Sequence, residues 1–393
     1  MVDLIVPHKL HKKTAQLPLL PVKRIVEYSE LSTTQQENLN RLGRAGKTFL
    51  SQPKIILDLA NKESYVLHFR SLRYYLNFGI ELKRVIKVIE FTEAAVIKDY
   101  IELNIELRNK APDKSSKDIP KLGNNAIFGK ALQQNEKLTE AKFSGNKESC
   151  IQLVKSARFR DFLILHSNLS LVFLKPRKIV HDKVIQIGFS VLEYAKIMFY
   201  RQYYEQLVPA FHSRGVMAYM DTDSSIISIV DDKNTFLDDL YNARDFLDFS
   251  KIARDSDLIQ KYPSLYKHNE GRCGLWKIET INLQKACFLG KKNYALQDFG
   301  KYTEFRCKGI PARSLNGRTF EDYERTIRES SITKLPVESI RSINHQLYKV
   351  RVNKVAFSFL DVSRVYPTTD VNFSLPFFHH KLLSCTCKAD EED

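Results

Sequence analysis

The sequence predicts an α+β fold: an antiparallel sheet backed by one long helix, a helical hairpin, and a mostly helical C-terminal region. Three observations carry this. Apolar runs at 216–220 and 225–230 flank the acidic turn D-T-D-S, the pattern of a β-hairpin. Residues 191–207 read as a long helix, opened by Ser190 with Glu193 at the capping-box spacing and closed before Pro209. Two helix-like segments, about 94–110 and onward to about 134, are broken at Ala111, Pro112 and Asp113, which makes an antiparallel helical hairpin.

The other elements follow in order. Residues 1–60 mix prolines and basic residues with one helix opening at Ser32 or Thr33, and read as an extended lead-in. Apolar groups at helical spacing over 65–78, stopped by Gly79, predict a helix, and R-V-I-K-V-I-E-F at 84–91 a strand. From 136 to 187 the chain is strand-like, with L-S-L-V-F-L at 169–174 the clearest strand. Residues 301–354, with twelve Lys/Arg against six Asp/Glu, are basic and helix-like.

At 393 residues the chain has room for two or three subdomains, and 43% apolar with 27% charged residues is the composition of a globular protein. No run approaches the roughly 18 apolar residues of a membrane helix, and the start lacks the apolar core of a secretory signal. A soluble intracellular protein without membrane partners is expected. The formal net charge of +15 makes a polyanion, nucleic acid before a membrane surface, the expected large partner. Cys150, Cys273, Cys287, Cys307, Cys385 and Cys387 are too spread for a disulfide framework. Cys385 and Cys387, with His379 and His380 near them, match no zinc spacing.

The sharpest chemical feature is A-Y-M-D-T-D-S-S-I-I-S-I at 218–229. Asp221 and Asp223, two apart, project to one face if the segment is extended, and two carboxylates on one face suit a hard cation. A calcium loop is excluded because Ile226 stands where glycine is needed. In K-L-G-N-N-A-I-F-G-K at 121–130, Lys121, Asn125 and Phe128 share one helical face, offering a cation, an amide and a ring to a nucleotide. In G-K-K-N-Y-A-L at 290–296, Lys292 and Tyr294 alternate with Asn293 as strand neighbours suited to a backbone phosphate. The plainer alternatives are a solvated acidic turn and an amphipathic helix with a solvated lysine.

Together and in this order the motifs resemble those of the family B DNA polymerases, most closely the protein-primed branch of viruses, linear plasmids and self-synthesising (Polinton-Maverick) transposons. K-L-G-N-N-A-I-F-G is similar to the fingers motif K-x-x-x-N-S-x-Y-G, Y-M-D-T-D-S to the palm motif Y-x-D-T-D-S, and K-K-N-Y to the K-x-Y motif beside the primer. Y-V-L-H-F-R-S-L-R-Y-Y-L-N-F-G at 65–79 and K-G-I at 308–310 resemble the transposon subgroup, and the likeness covers roughly residues 1–365.

The resemblance implies a right-hand architecture. Residues 1–92 would be lead-in and palm, 93–135 fingers, 136–187 an insertion used in strand displacement, 188–300 palm with the acidic hairpin, and 301–393 thumb and tail. It implies template-directed DNA synthesis by two-metal nucleotidyl transfer, with Mg²⁺, deoxynucleoside triphosphates, a DNA primer-template and a terminal priming protein as partners. Asp221 and Asp223 become the metal carboxylates and catalytic residues. Lys121, Asn125, Phe128 and Arg108 would bind the nucleotide, and Tyr219, Thr222, Lys292, Tyr294 and Lys308 the DNA. The implied location is the nucleus or a virion or other element.

The chain departs from the family in several respects. The palm motif D-x-x-S-L-Y, which supplies another metal carboxylate, has no match, and Asp3 in V-D-L-I-V-P is not assigned to it. The upstream exonuclease part of the family fold has no counterpart either, so the sequence reads as a fragment of a larger polymerase. Ala126 replaces the usual serine and Phe128 the commoner tyrosine, while Pro120 and Gly123 fall within the predicted helix. The alternative function is a catalytically inactive nucleic-acid-binding remnant. A reverse transcriptase is disfavoured because Thr222 separates the two aspartates.

Overall fold

The computed structural model describes residues 1–43, 50–211, 214–299, 303–343, 346–368 and 373–382. The fold is α+β, with small sheets that are antiparallel except for a two-residue parallel pairing of Leu247–Asp248 with Trp276–Lys277. Instead of one continuous palm sheet there are several sheets of two or three strands. The chain divides into two units, one of Met1–Val88, Ala195–Val337 and Val352–Asp393, the other of Ile89–Tyr194 and Glu338–Arg351.

In the first unit, strand Val2–Ile5 runs between Lys62–Tyr65 and Glu81–Val85. Lys62–Tyr65 pairs as a strand, and His68 Nδ1 accepts the Arg70 N–H, so the helix expected from 65 starts at Phe69. It ends at Phe78, where Gly79 takes a φ of 114°. The strand expected at 84–91 is instead Glu81–Val85, because its partner Val2–Ile5 offers only 4 residues to the ladder.

The lead-in is folded rather than extended. Ser32 caps helix Thr33–Arg41, with a capping box to Gln35. Val26, Leu31, Leu39 and Ile56 pack with Val362, Val365 and Phe377 from the other end of the chain.

The long helix begins earlier than expected, at Ile185, so Ser190 and Glu193 lie inside it and do not cap it. After Arg201 the coil widens into a π segment, Gln202–Leu207, and a short helix, Val208–Phe211, follows. Pro209 lies just beyond the π segment and, lacking an N–H, cannot continue its ladder of hydrogen bonds. The π segment buries Tyr203, Tyr204 and Leu207. Its tyrosines reach the early chain: Tyr204 Oη donates to the Leu17 carbonyl, and Tyr203 Oη donates to Gln16 Oε1 at 2.9 Å. One helical turn earlier, Tyr200 Oη donates to the Pro18 carbonyl at 3.1 Å. The main core around them includes Leu4, Leu20, Tyr75, Leu247, Phe249 and Leu258.

The basic region after 300 is not mostly helical. A meander of Leu283–Gly290, Asn293–Asp298 and Thr303–Cys307 is followed by one helix, Phe320–Arg328, and two long strands, Ile332–Ile343 and Gln346–Ser358. The alternation of apolar and charged residues in Y-K-V-R-V-N-K-V puts every second side chain on one face, which favours the strand over the helix. Cys287, Ala295, Phe320, Tyr323 and Phe357 build a separate core here.

In the second unit, helices Lys98–Lys110 and Lys114–Ala131 form the hairpin, with Asp113 capping the second through the Ser116 N–H at 3.0 Å. Pro120 is well inside that helix, so the Ser116 carbonyl loses its i+4 donor. Gly123 has a packing reason, since a Cβ there would lie 3.0 Å from Tyr100 Oη. Asn104 Nδ2 donates to Asn124 Oδ1 at 2.8 Å across the same contact. Beyond the hairpin, strands Glu140–Ser144, Phe159–His166 and Leu169–Leu174 form an antiparallel sheet with Leu169–Leu174 central, and helix Lys147–Val154 connects the first two.

Candidate functional site

Strand Gly215–Asp221 pairs with Ser224–Ile229, and Asp221 faces Ser224 in register, leaving Thr222 and Asp223 as a two-residue turn. Only Asp221 ends the strand. Asp223 is exposed in the turn, so the one-face argument from extended spacing does not hold. The turn is held by the Asp223 N–H donating to the Asp221 carbonyl at 2.7 Å and by Ser224 Oγ donating to that carbonyl at 3.2 Å. Thr222 carries a φ of 62°, a conformation that a β-branched residue adopts only under strain.

A second hairpin meets this one. Between Leu283–Gly290 and Asn293–Asp298 the turn is Lys291 and Lys292, and Lys292 has a φ of 56°. Lys292 is therefore a turn residue and not a strand neighbour of Tyr294. Its Nζ lies 3.0 Å from Asp221 Oδ2. Its N–H donates to Tyr219 Oη at 2.7 Å, and its carbonyl accepts the Lys308 N–H at 3.0 Å. The Asp221 carboxylate raises the Lys292 pKa above the ordinary lysine value.

Aromatic rings hold the two hairpins together. Tyr219 stacks on Phe288 with centroids 5.1 Å apart and planes 7° from parallel, and meets Tyr294 edge-on at 5.2 Å. Phe288 and Tyr294 are cross-strand partners, so one face of this hairpin presents both rings to Tyr219. Burial pushes the Tyr219 hydroxyl pKa upward. At its start, the acidic strand is tied to the early chain where the Met217 N–H donates to Gln16 Oε1 at 2.9 Å.

Asp221, Lys292, Tyr294, Arg306 and Lys308 line a cleft of about 360 Å³. Arg306 pairs with Glu304 at 2.8 Å and is the cross-strand partner of Tyr294. The cleft thus has one carboxylate on its wall beside three cations, and the cations suit a phosphodiester. Arg306, Phe288 and Gln16 were not legible as site residues. The turn signal Gly290-Lys291-Lys292 between two apolar runs would have placed Phe288 opposite Tyr294.

The carboxylates suit Mg²⁺ in one way. Mg²⁺ takes one or two protein carboxylates and completes its shell with water and substrate phosphates, and Asp221 and Asp223 supply that many hard oxygen donors. Among the described residues no group of three or more His, Cys, Asp or Glu is placed to hold a metal ion by itself. His379 and His380 therefore form no such centre with described residues, and Cys385 and Cys387 lie outside the described residues. Cys150, Cys273, Cys287 and Cys307 are free thiols.

Lys121, Asn125, Phe128 and Arg108 belong to the helical hairpin of the second unit. Lys121, Asn125 and Phe128 are exposed; they lie on the side of their helix opposite Gly123, with Asn124, three after Lys121 and four before Phe128, at the edge of the same face. Arg108 is exposed in the last turn of the preceding helix.

Comparison with protein-family models, with curated proteins and with solved structures finds no match to this chain. Among the described residues no helix is long and apolar enough to cross a membrane.

Proposed function

We propose that the chain is the palm, fingers and thumb part of a DNA-directed DNA polymerase of the protein-primed family B type. The observation that carries this is the meeting of Y-M-D-T-D-S with K-K-N-Y. Two motifs far apart in sequence share one site through the 3.0 Å pair of Lys292 with Asp221 and the Tyr219, Phe288 and Tyr294 rings.

In this reading Asp221 and Asp223 hold Mg²⁺ together with the triphosphate. The metal, when bound, lowers the pKa of the primer hydroxyl and stabilises the departing pyrophosphate. Lys292, Arg306 and Lys308 hold the primer backbone in the cleft, and Tyr294 and Tyr219 fix the hairpin that carries Lys292. Lys121 would meet the triphosphate, Asn125 and Phe128 would pack on the nucleoside, and Arg108 would add a phosphate contact.

A second reading, nucleic-acid binding without chemistry, is favoured by the lack of a third acidic side chain grouped with the pair among the described residues. One experiment separates the two. Primer extension and duplex binding are measured with the chain and with Asp223→Asn. Mg²⁺-dependent extension that the substitution abolishes supports the polymerase. Salt-sensitive binding without extension supports the binding protein. No binding to duplex DNA even at low salt refutes both.

A further inference from the structure

We propose that Lys292 gates the carboxylate pair. In the free protein its ammonium occupies Asp221, and a phosphodiester strand entering the cleft draws it away, so divalent-cation binding follows nucleic-acid binding. This rests on the polymerase reading of the same site.

The geometry separates what is fixed in Lys292 from what can move. Its backbone is held on both sides, the N–H by Tyr219 Oη at 2.7 Å and the carbonyl by the Lys308 N–H at 3.0 Å. The side chain is 59% exposed, and among the described residues its end is held by the ion pair at 3.0 Å. A four-carbon stem can swing the ammonium through several ångströms without disturbing either anchor.

The charges then decide where it goes. Asp221 is a single carboxylate, half-buried, and its pair with Lys292 is open to water on the lysine side, so a phosphate oxygen offered nearby competes with it directly. Arg306 and Lys308 line the same cleft and would hold a phosphate beside Lys292. Once the ammonium leaves, no cation offsets the Asp221 carboxylate beside Asp223, and a divalent cation is attracted where the lysine charge had repelled it. The order guards against a metal-loaded site with no primer, and it is set by one side chain.

The test is Mn²⁺ binding, read from the electron paramagnetic resonance signal of the free ion. It uses the full chain, with and without a primer-template duplex at low salt, and the Asp221→Asn/Asp223→Asn variant as the baseline for ions carried by DNA. Two substitutions report on the gate. Lys292→Met keeps the stem and removes the charge, and Lys292→Gly suits the positive φ of the turn. Both are checked for unchanged thermal unfolding.

The gate predicts that duplex DNA tightens Mn²⁺ binding to the native chain. It also predicts that both variants bind Mn²⁺ up to about fivefold more tightly without DNA, with a reduced further response to DNA. Equal Mn²⁺ affinity of native and variant chains in the absence of DNA overturns the gate and leaves the carboxylate site standing. Failure of native and variant chains alike to bind more Mn²⁺ than the double-Asn baseline, with or without DNA, refutes the carboxylate site and the gate with it.

Discussion

Lys292 and Asp221 form an ion pair at 3.0 Å between the tips of two hairpins, and the turn residue on each side of that contact is strained. Thr222 has a φ of 62° and Lys292 a φ of 56°. Strain of this kind persists where the surroundings over-determine it, here through Tyr219, which is 73 residues from Lys292 in sequence and accepts its N–H.

Tyr219→Phe removes that acceptor while keeping the ring on Phe288. The loss of one hydrogen bond at a half-buried position should cost about 0.5–1.5 kcal/mol in urea unfolding. Tyr219→Ala should cost more, because the stack on Phe288 and the edge contact with Tyr294 also disappear. Equal costs for the two substitutions would show that the hydroxyl, and not the ring, joins the hairpins.

The basic cleft makes a prediction about salt. If Arg306 and Lys308 each neutralise one phosphate, Arg306→Ala and Lys308→Ala should each lower the slope of log affinity against log salt by about 0.9. Fluorescence anisotropy of a labelled duplex measures it. An unchanged slope for both would remove the cleft from the DNA path.

Gly188→Ala tests the packing of the second unit. A Cβ there would lie 2.4 Å from Leu132 Cγ and 3.0 Å from the Phe128 carbonyl oxygen. Overpacking should cost about 1–3 kcal/mol in urea unfolding, and Leu132→Ala in the same chain should recover part of it. Additive losses would mean that the two sites do not meet.

The pH response has a defined sign. His379 is buried, and its Nδ1 accepts the Lys381 N–H at 3.2 Å. Burial first, and then the nearby His380, His11, Lys381 and Arg364, push its pKa down from 6.5 to about 4. His11 is lowered too, by burial and by His8 and His380, and its Nδ1 accepts the His380 N–H at 3.1 Å. A base with a depressed folded-state pKa takes up its proton more readily when unfolded. Its stabilising contribution is complete above pH 6.5 and is lost as pH falls toward about 4. The thermal midpoint should fall across that window, and His379→Asn, which keeps an acceptor for the Lys381 N–H, should flatten the fall. An identical pH slope in the variant would place the titration elsewhere.

What the sequence disclosed was local. The acidic hairpin, the strand at 169–174 and the Ser32 cap are written in short patterns of apolar spacing and turn or capping residues, and each formed where those patterns put it. Ser190 and Glu193 have capping-box spacing but do not mark the start of the long helix, because Gly188 docks against Leu132 and the helix reaches back to Ile185. After 330 the chain forms two long strands and not the expected helix, because the alternation of apolar and charged residues puts one apolar face on each strand. The encounter of Lys292 with Asp221 needs Tyr219, Phe288 and Tyr294 to pack across two hairpins, and no local spacing encodes that contact.

The most direct measurement of the central claim replaces Mg²⁺ with Fe²⁺ in the complex of the full chain with a primer-template duplex, and maps the cuts made by locally generated hydroxyl radicals. A metal held by Asp221 and Asp223 beside the primer terminus predicts cuts in the chain around residues 219–225 and in the primer at its 3′ end, both lost in Asp221→Asn/Asp223→Asn. Cuts that survive the double substitution, or that fall on the duplex far from the 3′ end, would contradict it.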